Sequence, residues 1–343
     1  MTGPSVPPAR RPAKADRVPE RPPVRPDVRA MLDYIATAPI PRLHEMAPAD
    51  ARELMKTGRD LIDLPVGELA VKRDFAIPGP HGADIPARLY DARATRAPGP
   101  LMIFFHGGGF VLGSLDSHDP LCAEIARALD MPVIAVDYRL APEHPWPAAP
   151  DDAEAAARWI AANPPETGRI ATGLVLAGDS AGGTLTIVTT LALRDAPAAV
   201  PVLAQWPIYP AADPGGRYYS YRDFSDGYYL DSALLTWFHE SYGADLAHWR
   251  ASPIKADHAG TPPTLVVTAG LDPLRDSGRA YAAALVQAGV PTVYREARGN
   301  IHGFMNMRRA IPSSQDDLAG CLAALAAIVA EAEAGRAMLE KAA

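Results

Sequence analysis

The stretch Gly173-Leu-Val-Leu-Ala-Gly-Asp-Ser-Ala-Gly-Gly183 decides how the middle of this chain folds. Its apolar run of Leu, Val, Leu and Ala is typical of a buried strand, and the residues after it have the composition of a helix. Gly178 and Gly182 leave room for a turn that is too sharp for side chains at those positions. The pattern therefore predicts a strand, a turn and a helix, with the Ser180 hydroxyl lifted off the sheet edge. The N–H of Ala181 then lies at a helix start, where partial positive charge collects.

Taken alone, this G-x-S-x-G motif also fits a serine in a glycine-rich turn or at a helix cap. Hydrolysis of an ester at neutral pH needs more than a hydroxyl. It needs a base that takes the proton, a group that orients the base, and hydrogen-bond donors for the oxyanion. A catalytic role for Ser180 therefore requires those partners elsewhere in the chain.

Two loops downstream offer the base and its partner. The strand predicted at residues 265–268 runs into Asp272, and the strand predicted at residues 292–296 runs into His302. Because parallel strands end at the same sheet edge, both side chains are expected near Ser180, in the chain order Ser, Asp, His. Each residue alone also fits a plainer role, Asp272 as a turn or cap aspartate and His302 as a loop histidine without a function.

An upstream loop offers the oxyanion donors. His106-Gly-Gly-Gly109 follows a strand predicted at residues 101–105. Glycines let the backbone approach a ligand with no Cβ in the way, and their N–H groups can point at a developing oxyanion. A flexible glycine loop is the simpler alternative. We expect His106 to hold this loop by a hydrogen bond rather than to act as the base, since His302 has the right place in the chain order.

Composition limits the classes of function. The chain has 343 residues and is 48% hydrophobic, which is enough to form a large core. Its formal charge of −7 gives no positive electrostatic field that would attract nucleic acid. The two cysteines, Cys122 and Cys321, lie far apart and are expected to be buried, in a reducing compartment. The chain has no uninterrupted run of 18 apolar residues and no apolar segment near its start, so we expect neither a membrane span nor a secretory signal. These features predict a cytoplasmic protein.

Strands and helices alternate along most of the chain. An antiparallel hairpin is predicted from residues 71–77 and 85–90. Short buried strands follow at residues 101–105, 133–136, 174–177, 202–204, 265–268 and 292–296. Helices are predicted between and after them at residues 117–129, 151–162, 183–195, 277–288 and 316–334. This alternation predicts a parallel sheet covered on both faces.

Three segments lie outside the alternation. Residues 1–28 are rich in Pro and Arg and predict a loose or extended arm, with an arm across a pocket or a partner subunit as the alternative. Residues 27–36 and 48–57 have helical spacing and are candidates for a lid. Residues 209–250 are rich in aromatic residues, show no clear strand, and are expected to pack above the sheet edge.

Other polar residues are predicted to be structural. The loop at residues 137–145 follows a strand at the same edge, and Arg139 is expected to pair there with Glu143, or alternatively with Asp276. The remaining histidines have no ligand-like spacing and no HExxH motif is present, so we predict no metal and no other cofactor.

These motifs together resemble the hormone-sensitive-lipase-like carboxylesterases, also called bacterial family IV, in the branch whose nucleophile motif reads GDSAGG. The matching segments are Gly178 to Gly183, His106 to Gly109, Tyr138-Arg-Leu-Ala-Pro-Glu-His144, Asp272-Pro-Leu-Arg-Asp276 and His302-Gly-Phe304. The similarity covers about residues 65–335. It implies the α/β-hydrolase fold, an α/β architecture with a mostly parallel central sheet, flanking helices and a helical cap.

The resemblance also implies roles and boundaries. The catalytic residues would be Ser180 as nucleophile, His302 as base and Asp272 as its orienter. The oxyanion donors would be the N–H groups of Gly108, Gly109 and Ala181. The cap would consist of residues 29–64 and an insertion at 206–250, the catalytic domain of residues 65–205 and 251–335, and the arm of residues 1–28. A homodimer is also suggested.

The predicted function is that of a serine carboxylesterase, which hydrolyses short- to medium-chain esters through an acyl-enzyme. Apolar and aromatic residues of these loops are the candidates for the substrate pocket: Phe110, Leu112, Tyr209, Leu230, Leu274 and Phe304. An amidase, deacetylase or acyltransferase with the same triad remains an alternative. The other alternative is a receptor without catalysis on the same fold, although such receptors lack the histidine that His302 supplies.

Overall fold

An eight-stranded sheet forms the centre of the structure, a computed structural model that describes residues 23–342. The strands are β1 (Val71–Pro78), β2 (Asp84–Asp91), β3 (Gly99–Phe105), β4 (Val133–Val136), β5 (Ala171–Asp179), β6 (Val202–Ile208), β7 (Thr264–Leu271) and β8 (Thr292–Ile301). Their order across the sheet is β1-β2-β4-β3-β5-β6-β7-β8. Strands β3 to β8 are parallel, and β2 is antiparallel to both of its neighbours. The predicted hairpin leading into a parallel sheet is confirmed.

Helices connect the strands. They are α1 (Pro26–Thr37), α2 (Pro48–Ile62), α3 (Asp119–Ala128), α4 (Ala148–Ala161), α5 (Ala181–Asp195), α6 (Tyr219–Asp223), α7 (Ser232–Tyr242), α8 (Arg275–Gln287) and α9 (Ser314–Ala342). Helix α4 begins earlier than predicted, since Pro150 fits into its first turn, where no intrahelical partner for an N–H exists. Strand β8 is longer than predicted and ends directly before His302.

Apolar side chains cover both faces of the sheet. Along β3, Met102 and Phe104 point to one face while Ile103 and Phe105 point to the other, and all of them are fully buried. Helices α3 and α9 pack on the first face, and α4 and α5 pack on the second. Because these strands are buried on both faces, their sequences are continuous apolar runs.

Both segments that are predicted to form a cap contain helices, and the second contains no strand between residues 209 and 250. Strand β6 runs to Ile208, past the boundary predicted at residue 205. Helix α1 packs Val28 and Leu32 against Leu271 and Ile301, at the carboxyl ends of β7 and β8. Most of the arm predicted for residues 1–28 lies outside the described residues, and its last residues belong to α1. The division into domains stays a prediction.

Helix α9 departs from one expectation. Within residues 23–342, Ser314–Met338 is a stretch that is long and apolar enough to cross a membrane by length and composition, with a mean hydropathy of 1.6. A core helix of a soluble protein passes the same test. One face of α9 packs on β6, β7 and β8 and buries Leu318, Leu322 and Leu325, so the helix contributes to the core of this fold.

Candidate active site

The serine turn has the predicted form. Strand β5 ends at Asp179, helix α5 begins at Ala181, and Ser180 between them has φ 55° and ψ −116°. Such a backbone conformation is strained for a residue with a side chain and is found where the surrounding structure enforces it. A Cβ on Gly182 would lie 1.9 Å from the carbonyl oxygen of Phe105. The second glycine of the motif is therefore required by the close approach of α5 to β3.

The three predicted catalytic side chains are in contact. His302 Nε2 lies 2.9 Å from Ser180 Oγ, and His302 Nδ1 lies 2.7 Å from Asp272 Oδ2. Asp272 is fully buried and His302 is almost so. The other oxygen of the Asp272 carboxylate accepts the N–H of Leu274 at 2.8 Å, which fixes the orientation of the carboxylate. This arrangement holds the imidazole with Nδ1–H toward the acid and Nε2 toward the hydroxyl.

The sheet places these residues at one edge. Asp272 follows the last residue of β7, His302 follows the last residue of β8, and Ser180 follows β5. All of these strands are parallel, so their carboxyl ends meet above the same rim. Gly303 has a φ angle of +80°, so the backbone turns sharply directly after His302.

The oxyanion loop, residues 106–109, lies at the end of β3. Gly108 and Gly109 have φ angles of +121° and +62°, values that favour glycine. The carbonyl of Gly108 accepts the N–H groups of Val111 and Leu112, so the N–H of Gly109, on the opposite side of the same trans peptide, points away from them. Within residues 23–342, the N–H groups of Gly108, Gly109 and Ala181 have no backbone acceptor and can serve an oxygen from outside the chain.

The imidazole of His106, the first residue of this loop, contacts the loop backbone and Tyr138. Its Nδ1 is 2.9 Å from the carbonyl oxygen of Gly107, and its ring stacks on Tyr138 with centroids 4.3 Å apart. The Tyr138 hydroxyl donates to the His106 carbonyl at 2.6 Å. These contacts fit the expected structural role of His106.

Comparison with known proteins identifies the family of the chain. A family model described as the alpha/beta hydrolase fold matches residues 102–306, more than half of the chain. The chain belongs to this family.

The proteins of known name that are similar to this chain include ester hydrolases of the α/β hydrolase fold. Carboxylic ester hydrolase LipN of Mycobacterium tuberculosis is 42% identical over 248 residues, which are 68% of this chain and 64% of that protein. Ethyl acetate hydrolase of Pseudomonas putida is 36% identical over 290 residues, which are 82% of this chain and 91% of that protein. The crystal structure of an α/β hydrolase enzyme from the metagenome of Lake Arreo has a TM-score of 0.84 and 38% identity, covering 89% of this chain and 98% of that chain. The fold and the resemblance drawn from the motifs are confirmed.

The predicted pocket residues of this α/β hydrolase lie in different surroundings. Leu230 and Leu274 pack together with residues of α7. Leu112 and Phe304 are buried within the two core clusters. Phe110 is half-buried and stacks on Tyr242 of α7, with centroids 3.9 Å apart. Their role as pocket lining stays a prediction.

Tyr209, the remaining pocket candidate, lies beside His302. Its ring centroid is 4.7 Å from that of His302, and its hydroxyl donates to Asp179 at 3.3 Å. Burial, together with the nearby carboxylate, raises the pKa of Tyr209 well above its ordinary value. The hydroxyl therefore stays protonated and acts as a donor.

The ion pair predicted between Arg139 and Glu143 is wrong. Arg139 pairs with Asp152 of α4 at 2.7 Å, because that carboxylate is fully buried and needs a cation. Glu143 pairs with Arg52 of α2, whose hydrogen bonds lower the pKa of Glu143 to about 2. Asp276, the alternative partner, contacts Arg275 and Arg279 instead. The partners come from helices that only the fold brings to this loop.

Cysteines and histidines do not build a metal centre in the part of the chain that the structure describes. No group of three or more His, Cys, Asp or Glu side chains among residues 23–342 could hold a metal ion. Cys122 and Cys321 are buried free thiols, as predicted. Burial raises the pKa of Cys321 to about 12, so it stays an unreactive thiol.

Two residues of the site were missed by the sequence analysis. Asp179 and His118 form a buried pair, with His118 Nε2 3.0 Å from Asp179 Oδ1. Asp179 lies inside the GDSAGG motif, in which the sequence analysis assigns roles to the serine, the glycines and Ala181 but none to the aspartate. His118 lies in a segment predicted simply as helix, so no local pattern indicated its position behind the oxyanion loop.

Proposed function

We propose that this α/β hydrolase is a serine carboxylesterase that hydrolyses short- to medium-chain carboxylic esters. The observation that carries the proposal is the continuous contact from Asp272 through His302 to Ser180, at 2.7 and 2.9 Å, beside backbone N–H groups that have no acceptor within residues 23–342. Ester hydrolysis needs this set of groups at hydrogen-bond distance. The presence of His302 in the contact speaks against a receptor without catalysis.

In the proposed mechanism His302 Nε2 takes the proton of Ser180 as Oγ attacks the ester carbonyl carbon. Asp272 accepts the Nδ1–H and stabilises the imidazolium that forms. The carbonyl oxygen, now negative, is bound by the N–H groups of the oxyanion loop and of Ala181. His302 then gives the proton to the departing alkoxide, which leaves as the alcohol. His302 then takes a proton from a water molecule that attacks the acyl-enzyme carbonyl. The acid is released as His302 gives that proton to Ser180 Oγ.

The preference for shorter chains is supported by how α7 meets the oxyanion loop. A Cβ on Gly109 would lie 2.2 Å from the ring of Phe238, so this ring fills the space beside the loop. Leu230, Leu234 and Leu274 close the neighbouring volume by packing on one another. We therefore expect this side of the site to accept short acyl or alkyl chains better than long ones. One relative is named for the hydrolysis of ethyl acetate, a small ester.

A chain-length series tests the proposal. The purified enzyme is assayed with p-nitrophenyl esters from acetate to palmitate, beside Ser180→Ala as the matched control. We expect the highest kcat/KM at or below the octanoate ester and no turnover above background for Ser180→Ala. Turnover by Ser180→Ala at the wild-type rate would refute the nucleophile, and highest activity on palmitate would refute the short pocket.

The same nucleophile could serve an amidase, a deacetylase or an acyltransferase. Side-by-side assays with an anilide, an acetylated sugar, and an ester in the presence of an acceptor alcohol separate these reactions. We expect the simple ester to give the highest kcat/KM. A higher kcat/KM on the anilide or the acetylated sugar would move the enzyme to the alternative class.

A cytoplasmic location and a homodimer also stay proposals, because the first rests on composition and the second on the family resemblance. Fractionation of the producing cells tests the location. Light scattering coupled to size-exclusion chromatography tests the dimer, for which the expected mass is twice the 36.4 kDa of the chain.

A further inference from the structure

A buried carboxylate lies directly before the serine. Asp179, the last residue of β5, is 3% exposed. Its Oδ1 accepts the N–H of Gly107 at 2.8 Å and lies 3.0 Å from His118 Nε2. Its Oδ2 accepts the Tyr209 hydroxyl and the Asn306 side-chain amide, both at 3.3 Å. A buried charge persists in a fold only with such partners, and here they come from four separate segments.

These segments are the ones that must be aligned for catalysis. Gly107 belongs to the oxyanion loop, Asn306 follows His302 by one short turn, and Tyr209 lies against the His302 ring. Asp179 itself is covalently joined to Ser180. The carboxylate therefore ties the oxyanion loop and the support of the base to the serine turn.

The oxyanion loop is pressed closely on this carboxylate. A Cβ on Gly107 would lie 2.6 Å from Asp179 Oδ2, so only glycine allows the N–H of this residue to reach the acid. The N–H groups of Gly108 and Gly109 follow directly in the chain. Their distance from Ser180 Oγ is thus determined by where the Asp179 carboxylate lies.

His118 holds the carboxylate from behind. The residue is 4% exposed, and its Nδ1 lies 2.9 Å from Ser117 Oγ. Nε2 lies between the Asp179 carboxylate at 3.0 Å and the Gly107 N–H at 3.3 Å, and in its protonated form it donates to the carboxylate. Although burial acts in the opposite direction, the charge and hydrogen bond of His118 keep the pKa of Asp179 below its ordinary value.

The pair also has an electrostatic consequence. An uncompensated carboxylate next to Ser180 would repel the oxyanion that forms in the transition state. A cationic or hydrogen-bonding partner at 3.0 Å reduces that repulsion.

We propose that Asp179, held by His118, is a positioning residue that places the oxyanion loop at its working distance from Ser180. The proposal rests on the proposed function, since it assigns a role in the same reaction. Loss of this support weakens binding of the transition state more than binding of the ester. It therefore lowers kcat and leaves KM nearly unchanged.

The test compares two buried residues. His118→Phe keeps an aromatic ring in the space beside Phe104 and His106 but removes the donor. The matched control is Asp91→Asn, which removes another fully buried charge, at the end of β2, where it contacts Arg96 and Arg169 and none of the segments above. Both variants are assayed with p-nitrophenyl butyrate, and their folding is checked by thermal unfolding.

For His118→Phe we expect kcat to fall about 10- to 100-fold with KM within about twofold of wild type. The rate of inactivation by an aryl phosphonate, which forms an oxyanion-like adduct on the serine, should fall in parallel. His118→Gln, which keeps a donor, should recover part of kcat. Asp91→Asn should lose stability and keep its kcat.

An unchanged kcat in folded His118→Phe, or an equal loss in Asp91→Asn, would overturn the positioning role. If His118→Phe does not fold, Asp179→Asn carries the same test, because the amide keeps the shape and loses the charge. It should then lower kcat without raising KM, and an unchanged kcat would again overturn the role. Ser180→Ala is assayed in parallel. Activity in that variant would refute the proposed function, whereas inactivity beside a fully active His118→Phe would refute the positioning role alone.

Discussion

Asp63 and Arg308 form a buried ion pair that joins the end of α2 to the segment following His302. Both residues are nearly inaccessible, at 0% and 2% exposure. Arg308 Nε and Nη2 each donate to the Asp63 carboxylate at 2.8 Å, and the Arg308 N–H donates to it at 3.2 Å. The N–H groups of Arg309 and Ala310 donate to the carbonyl of Ile62. Removal of the Asp63 charge therefore disturbs both the stability of the fold and the position of the segment that follows His302.

We predict that Asp63→Asn lowers the free energy of unfolding by about 3–5 kcal/mol. This is the usual cost when one partner of a buried pair is lost and the other charge stays buried without compensation. Replacement of both partners, Asp63→Leu with Arg308→Met, should recover most of the loss, because no unpaired charge then remains.

Urea unfolding at neutral pH, followed by tryptophan fluorescence, measures the change. Asp60→Asn is the matched control, since Asp60 is near the end of the same helix and pairs with Arg59 but has a side chain that is 73% exposed. An exposed pair of this kind contributes at most about 1 kcal/mol. If Asp63→Asn costs no more than Asp60→Asn, or if the double replacement is less stable than the single one, the reasoning is refuted.

Three other outcomes follow from the structure. Asp272→Asn should lower kcat by about 10³- to 10⁴-fold with a small change in KM, because His302 loses the acceptor of its Nδ1–H; p-nitrophenyl butyrate kinetics check this, and a loss below tenfold would contradict the role of the acid. Gly182→Ala should prevent folding, since its Cβ would lie 1.9 Å from the backbone oxygen of Phe105; a folded, active variant seen by circular dichroism and assay would contradict this. Burial lowers the pKa of His258 below its ordinary value of 6.5, so the unfolded chain binds more protons than the fold. The contribution of neutral His258 to the free energy of unfolding should therefore be fully present above about pH 6.5. It should decrease as the pH falls from 6.5 toward the lowered pKa of His258 in the fold. His258→Phe should flatten that fall in urea titrations between about pH 8 and pH 5, and an unchanged slope would count against it.

Local patterns predicted most of the framework. Continuous apolar runs of Val, Leu and Ile indicated strands buried on both faces, because a strand between two helical layers has no polar side. The motifs around Ser180, Asp272 and His302 each follow such a strand. Parallel strands end at one edge of the sheet, so the proximity of these three residues could be predicted without coordinates. In the structure, the His302 ring lies 2.7 Å from the Asp272 carboxylate and 2.9 Å from the Ser180 hydroxyl.

Partners between distant segments could not be predicted in this way. Arg139 was expected to pair with a residue of its own loop, yet it pairs with Asp152 of the next helix. The contact of Asp179 with His118 had no local signal at all, since one ends a strand and the other precedes a helix.

The sequence by itself determined the strand order along the chain, the sharp serine turn and the residues that meet at the rim, because these depend on local periodicity and on the steric freedom of glycine. Only the tertiary structure decided which charges are buried together and which helices hold the loops around Ser180, Asp272 and His302. Those choices depend on how elements far apart in the chain pack, and a buried charge takes whatever partner that packing brings within hydrogen-bond distance.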